Sequence, residues 1–196
     1  MKSNTAENIV PEWQRPYQIL PSSQCWDETK DWCLEIGPGN GKFLLWVAEQ
    51  NPQNLYIAVE IRNMRFQNVA EKAKAKGLKN LIAIHGDARY CLPHLLRPRC
   101  LAEAFILFPD PWPKRRHNKH RLLNRERTDQ IYDFLKPKGR IWIATDHDHY
   151  SEQIRSVFPN DRWEAQEGIS LYPTYFETKW KKLGREIFYF CFGKLK

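Results

Sequence analysis

This chain has no apolar run near the roughly 18 residues that a membrane-spanning helix needs. Its polar N-terminus shows neither the basic nor the apolar region of a signal peptide, so none is expected. No C-x-x-C pair occurs, and the five cysteines (Cys25, Cys33, Cys91, Cys100 and Cys191) are odd in number. These absences argue against a disulfide framework and a zinc ribbon. Buried thiols in a reducing cytoplasm are the expectation. No internal repeat and no low-complexity tract is visible. Acids are outnumbered, 23 against 31 Lys and Arg, and the net charge is +8. Such a surplus favours a polyanionic partner. The 196 residues, 42% apolar with eight Trp, fit one domain with a real core.

What is present centres on F-P-D-P-W-P-K-R-R-H-N-K-H-R, Phe108 to Arg121. A residue before proline is steered away from the helical region. Asp110 and Trp112 are in that position, so a stiff extended loop is expected. The apolar run Ala104 to Phe108 before it reads as a buried strand. After it come Lys114, Arg115, Arg116, Lys119 and Arg121. One carboxylate thus sits on a rigid loop at a strand end, beside a dense cationic patch. The bland alternative is a proline-rich surface turn with a solvated charged face.

Along the chain, residues 1–30 read as an irregular arm, with Trp13, Tyr17, Ile19 and Leu20 docking part of it. Residues 31–196 read as a single domain. Trp32–Ile36 is a strand ending in Gly37-Pro38-Gly39-Asn40-Gly41, and Phe43 begins a helix that stops near Asn51-Pro52. Leu55–Val59 is a second strand closed by Glu60. Phe66, Val69, Ala70 and Ala73 mark one face of a second helix. Leu81–Ile84 is a third strand ending in Gly86-Asp87, followed by a short helix, Arg89 to Leu92, limited by Pro93. A helix is expected over Leu122 to Leu135, a fifth strand over Arg140 to Thr145 and a helix over Ser151 to Phe158. An edge strand is expected over Arg162 to Gly168, an aromatic and acidic loop over Tyr172 to Glu177, and a final strand over Glu186 to Phe192. Alternating strands and helices, with mostly continuous apolar strands, predict an α/β fold: a doubly wound, Rossmann-like, mostly parallel sheet with an antiparallel C-terminal strand. His147, Asp148 and His149 read as a solvated loop or helix start, and no metal site is expected.

Ligands bind such sheets at the carboxyl ends of the strands. Glu35, Gly37, Glu60, Asp87, Asp110 and Asp146 stand there. Helix capping alone accounts for Asp87 and Asp146, but accounts poorly for Glu35 within its strand. A dinucleotide loop wants G-x-G-x-x-G; here the spacing is G-x-G-x-G, and Lys42 stands where the third glycine belongs. Glu60 suits a ribose in either cofactor class. The acids at Glu35 and Asp87 suit S-adenosylmethionine, whose reacting centre is cationic, better than a pyrophosphate.

The motifs L-E-I-G-P-G-N-G (34–41), V-E-I-R (59–62), G-D-A (86–88), F-P-D-P-W-P-K (108–114), H-N-K-H-R-L-L (117–123), T-D (145–146) and T-Y-F-E (174–177) resemble the bacterial tRNA (guanine-N7-)-methyltransferase family. The resemblance runs from about Cys33 to the C-terminus, and F-P-D-P-W-P-K is its most specific string. It implies a class I methyltransferase that uses S-adenosyl-L-methionine on tRNA, at guanosine 46 of the variable loop, in the cytoplasm. It puts cofactor contacts on Glu35, Glu60, Asp87 and Asp110, beside the glycines Gly37 and Gly39. Substrate contacts fall on Lys114, Asp146, Thr174 and Glu177. Pro38 and Asn40 depart from the Phe and Met of many relatives, and the arm lacks an Arg-rich motif. Neither departure touches an acid.

Guanine N7 carries a lone pair and no proton, so the expected catalysis is positioning without a general base. Asp110 is the expected catalytic residue. Arg115, Arg116, Lys119 and Arg121 are expected to hold RNA phosphates. Trp112 is open to two readings, a base-stacking platform or a core anchor. No obligate protein partner is expected, and a monomer or homodimer is. The competing classes are a methyltransferase on another substrate, a non-catalytic RNA-binding protein and a nicotinamide oxidoreductase.

Overall fold

A parallel strand pair needs a crossover, and this chain supplies helices as its crossovers. The computed structural model describes residues 18–20, 27–166 and 174–195. Its strands are β1 (Gln18–Leu20), β2 (Trp32–Ile36), β3 (Leu55–Glu60), β4 (Leu81–His85), β5 (Leu101–Leu107), β6 (Leu135–Thr145), β7 (Trp163–Gln166) and β8 (Phe188–Lys194). They form one sheet in the order β1-β4-β3-β2-β5-β6-β8-β7. The pairs from β4 across to β6 are parallel. β1 at one edge is antiparallel, as are β8 and β7 at the other. The helices are α1 (Lys42–Gln50), α2 (Asn63–Ala75), α3 (Ala88–Leu95), α4 (Arg125–Phe134), α5 (Asp148–Val157) and α6 (Tyr175–Lys182). Among the described residues, no helix is long and apolar enough to cross a membrane.

Both sheet faces are covered, which is why the central strands have little polar alternation. Phe43, Leu44, Phe66 and Val69 of α1 and α2 pack on one face with Cys33, Tyr56 and Ala58. Leu92, Ile131 and Ile154 of α3, α4 and α5 cover the other, against Leu34, Ile57 and Ile82. This is the doubly wound, mostly parallel sheet expected, with two antiparallel strands rather than one at its C-terminal side.

Several local expectations are corrected. Gln18–Leu20, within the stretch read as irregular, form β1 against β4; Trp13 and Tyr17 lie outside the described residues. α3 continues through Pro93 to Leu95. One backbone bond is lost there, but Ala88, Cys91, Leu92 and Leu95 bury one side of the helix and hold it. α4 starts at Arg125 rather than Leu122, because the Asn124 carboxamide accepts from the Arg127 N–H and caps it. The cationic stretch Arg115–His120 is a 3-10 helix rather than loop. β6 begins at Leu135 rather than Arg140, with an irregularity between Leu101 and Glu103 of its partner. Gly139 makes that possible: a Cβ there would stand 2.9 Å from the Lys136 carbonyl oxygen. The expected loop ending at Glu177 becomes a helix start from Thr174 onward, while 167–173 lie outside the described residues.

Candidate active site

Strand order reverses between β2 and β5: β3 and β4 lie beyond one, β6 and β8 beyond the other. The loops leaving β2 and β5 therefore diverge and open a crevice at the carboxyl ends. Those loops are the glycine loop and the proline-locked loop. The crevice has two adjoining lobes, of about 230 Å³ and about 400 Å³. Gly37, Arg62, Arg65, Phe108 and Asp110 line both.

The glycine loop is shaped by its backbone. Gly37, Gly39 and Gly41 have φ of 73°, 60° and 76°. At Gly41 a Cβ would also come within 3.0 Å of Val69 on α2. The loop is tethered across to β3: the Gly39 N–H donates to Glu60 Oε2 at 3.2 Å, and the Arg62 N–H to Oε1 at 2.9 Å. Glu60 is thus buried and bonded at both oxygens, with lone pairs remaining.

Glu35 is different. Side chains alternate along a strand, so Glu35 shares the α1 and α2 face with Cys33. That face meets the first lobe. The carboxyl group is 2% exposed, and Oε2 is buried without a hydrogen-bond partner. Burial, and next the Glu60 charge, push its pKa up to about 8. A buried carboxyl without a partner invites a cation or a donor.

Asp87 caps α3 by accepting from the Arg89 N–H at 2.9 Å. The Arg89 side chain also donates to both of its oxygens, at 3.0 Å for Oδ1 and at 2.9 Å and 2.5 Å for Oδ2. These bonds hold the carboxyl below the usual carboxylate range against the opposing effect of burial. The capping explanation for Asp87 therefore applies, although the residue also lines the second lobe.

Asp110 is exposed at the junction and, among the described residues, is the one acid that lines both lobes. Its loop is not extended as expected. Phe108 and Trp112, each before a proline, have φ of 56° and 44°. Left-handed backbone at non-glycine residues persists only where surrounding contacts over-determine it. Phe108 N–H donates to the Ala144 carbonyl at 2.8 Å, which fixes the loop's start to β6. Trp112 is 39% exposed and so is no core anchor. It packs against His117 and His120, with ring centroids 5.8 Å and 5.2 Å away.

The remaining expected residues separate. Lys114, Arg116 and Lys119 are exposed, and Lys119 lines the second lobe; the Arg115 side chain lies outside the described residues. Arg121 also lines the second lobe, but it is 4% exposed and bonded inside the fold. Thr174 lines the first lobe and caps α6, its hydroxyl accepting from the Glu177 N–H at 3.0 Å. The Glu177 carboxylate is buried and accepts from Lys181 and the Tyr189 hydroxyl, each at 2.6 Å. Asp146 pairs with Arg185 at 2.6 Å. Lys114, Asp146 and Glu177 line neither lobe. Among the described residues, no group of three His, Cys, Asp or Glu gathers as a metal site would require.

Sequence reasoning passed over Arg62 and Arg65, which line both lobes on the bank opposite the cationic patch. Their signal was in V-E-I-R: a residue two beyond the strand-end acid stays near the crevice.

The residues present fit S-adenosylmethionine. The unsatisfied Glu35 carboxyl meets the need of a cationic ligand, and the glycine backbone leaves room for close approach. This arrangement at the switch point of a doubly wound sheet defines a class I, S-adenosylmethionine-dependent methyltransferase. Solved structures share the fold. A 16S rRNA methyltransferase, KamB, superposes with a TM-score of 0.64 at 19% identity, over 85% of this chain and 89% of that one. A Streptococcus mutans methyltransferase in complex with SAH does so at 0.56 and 12%, over 86% and 90%.

In sequence, the family described as "Putative methyltransferase" matches residues 29–190. A tRNA (guanine-N(7)-)-methyltransferase of Nitrosospira multiformis is 33% identical over 96% of this chain and 86% of its own length. The chain belongs to the bacterial tRNA (guanine-N7-)-methyltransferase family.

Proposed function

We propose that this methyltransferase carries the methyl group of S-adenosylmethionine to N7 of a guanine in tRNA, guanosine 46 of the variable loop. The observation that carries the reading is Asp110: an acid shared by both lobes of the crevice, with exposed cations following at once in the chain.

S-adenosylmethionine, when bound, supplies a methyl group on a positively charged sulfur. The protein's part is placement and charge. Glu35, once ionised, faces the cofactor's positive charge. Glu60 keeps lone pairs for the ribose hydroxyls while holding the glycine loop. Asp87 reaches the adenine amino group by giving up part of its bond to Arg89. Asp110 accepts from the guanine N–H groups and offsets the positive charge that the base acquires as N7 is alkylated. No proton leaves N7, so no general base is required; alignment at near-attack distance is the main contribution. Trp112 offers an exposed ring on which an unstacked base can lie. Lys114, Arg116 and Lys119 hold phosphates on one bank, and Arg62 and Arg65 hold them on the other. Thr174, Asp146 and Glu177 support guanine placement, the last two by shaping the α6 side of the site. The chain acts as a monomer or a homodimer. Four buried thiols, with Cys91, Cys100 and Cys191 each pushed up to about 11 by burial, suit a reducing cytoplasm.

The test is incubation with unmodified tRNA and methyl-labelled cofactor, followed by nucleoside mapping. The expected product is 7-methylguanosine at one variable-loop position. Label on another nucleoside, or on no RNA, refutes the reading.

A further inference from the structure

Arg121 is an arginine without a carboxylate in the part of the chain richest in cations. Among the described residues, no ion pair involves it, yet it is 4% exposed. Two of its nitrogens donate within the fold. Nε donates to the Pro111 carbonyl at 2.7 Å, and Nη1 donates to the Gln153 side chain of α5 at 2.6 Å. The guanidinium lies over the Tyr150 ring, 4.8 Å from its centroid. Gln153 donates onward to the Leu123 carbonyl at 2.8 Å, and the Leu123 N–H donates to the Tyr150 hydroxyl at 3.0 Å. The circuit closes on itself: Arg121, Gln153, Leu123, Tyr150 and back.

Pro111 is the residue between Asp110 and Trp112. Among the described residues, its carbonyl is where this circuit grips the proline-locked loop. A second anchor is the Phe108 N–H, which donates to the Ala144 carbonyl at the loop's start. Between these two points sits Asp110, exposed, on a loop with left-handed backbone at Phe108 and Trp112. Proline restricts φ but supplies no donor, so it cannot hold the loop against the body. Arg121 can, because its planar fork presents donors at fixed angles to two acceptors at once.

We propose that Arg121 is a positioning residue for methyl transfer, which clamps the Pro111 carbonyl to α5 and so sets where Asp110 meets the substrate. The inference rests on the reading that Asp110 serves the reaction. Arg121 touches neither base nor phosphate in this role. Its tie to Gln153 carries the clamp from the body of the fold to the loop.

The test compares Arg121→Met, Arg121→Lys and Gln153→Leu with the parental chain. Single-turnover methylation is measured with tRNA and cofactor saturating, at a temperature where each variant is folded. Arg121→Met should lower the rate at least tenfold while the dependence of tRNA affinity on salt keeps its slope. Arg121→Lys keeps a charge and one donor direction and should fall between. Gln153→Leu removes no cation and should slow the same step. Hydrogen exchange of the backbone over 108–114 should quicken in Arg121→Met and Gln153→Leu. A flattened salt slope with an unchanged saturated rate would make Arg121 a phosphate contact and overturn the proposal. Lower melting temperatures with parental rates would make it merely structural and overturn it equally. If the parental chain methylates no tRNA, the proposed function fails by itself, and unchanged loop exchange still decides against the clamp.

Discussion

Glu35 and Glu60 stand on neighbouring parallel strands with their side chains on the same face of the sheet, and only Glu60 is satisfied. The register pairs Glu35 with Ala58, two residues before Glu60, so alternation brings both carboxyls to the α1 and α2 side. Glu60 accepts two backbone N–H groups. Glu35 has an oxygen with no partner. Burial without a partner, and next the neighbouring Glu60 charge, make Glu35 keep its proton above the usual carboxylate range.

The first prediction is a pH dependence. Glu35 is raised from an ordinary 4.5 to about 8 by burial and then by Glu60. Between those values the folded state holds a proton that the unfolded chain releases. The stability of the cofactor-free protein should therefore fall as pH rises through this window and level off above it. A cationic cofactor favours the ionised form, so binding should release a proton and strengthen with pH, by roughly tenfold per unit at most. Calorimetry in buffers of different ionisation enthalpy reads the proton directly. Glu35→Gln should abolish the part of the release that belongs to the carboxyl. Equal proton release from parent and variant would remove Glu35 from the site.

Glu60 makes the second prediction. Glu60→Ala should weaken S-adenosylhomocysteine binding by about 1.5–3 kcal/mol, the scale of hydrogen bonds to a charged group. The glycine loop also loses its tether at Gly39 and Arg62. Unchanged affinity in the calorimeter would exclude the ribose role.

RNA affinity supplies the third. Neutralising Arg116, Lys119 or Arg65 should each flatten the slope of log affinity against log salt by about 0.7–0.9, one released counterion. Filter binding over a salt series measures it. If none of the three alters the slope, both banks are solvated surface.

Catalysis supplies the fourth. Asp110→Asn keeps shape and removes charge. Single-turnover methylation should slow by about a hundredfold or more, the order of one preorganised electrostatic group, while tRNA affinity changes little. Asp146→Asn breaks the pair with Arg185 and should act more on the substrate concentration needed than on the saturated step. A folded Asp110→Asn protein with the parental rate would refute the catalytic assignment.

Much of this molecule can be read without coordinates. Strand and helix alternation, with apolar runs at Leu34, Ile57, Ile82 and Ile106, carries the doubly wound class, because parallel strands must be buried on both faces. The glycines at 37, 39 and 41 announce a tight turn. The boundaries were less legible. Asn124 begins α4 where apolar periodicity alone suggested Leu122, and Thr174 starts a helix where aromatics suggested a loop. Both depend on a single side-chain oxygen reaching an N–H three residues on.

What the sequence determined by itself is the inventory and its order: which acids end which strands, and that the cations follow Asp110. Those are properties of chain sequence and local propensity. What only the tertiary structure decided is how each charge is used. Glu35 and Glu60 look alike in the chain, but one is tied to a glycine loop and the other is left bare. Lys119 and Arg121 are two residues apart and both line the second lobe, but one is exposed and the other is locked between Pro111 and Gln153. The reason is that burial and hydrogen bonding come from partners distant in sequence: 21 residues away for Glu60 and Gly39, 32 for Arg121 and Gln153. No local pattern encodes those distances; packing does.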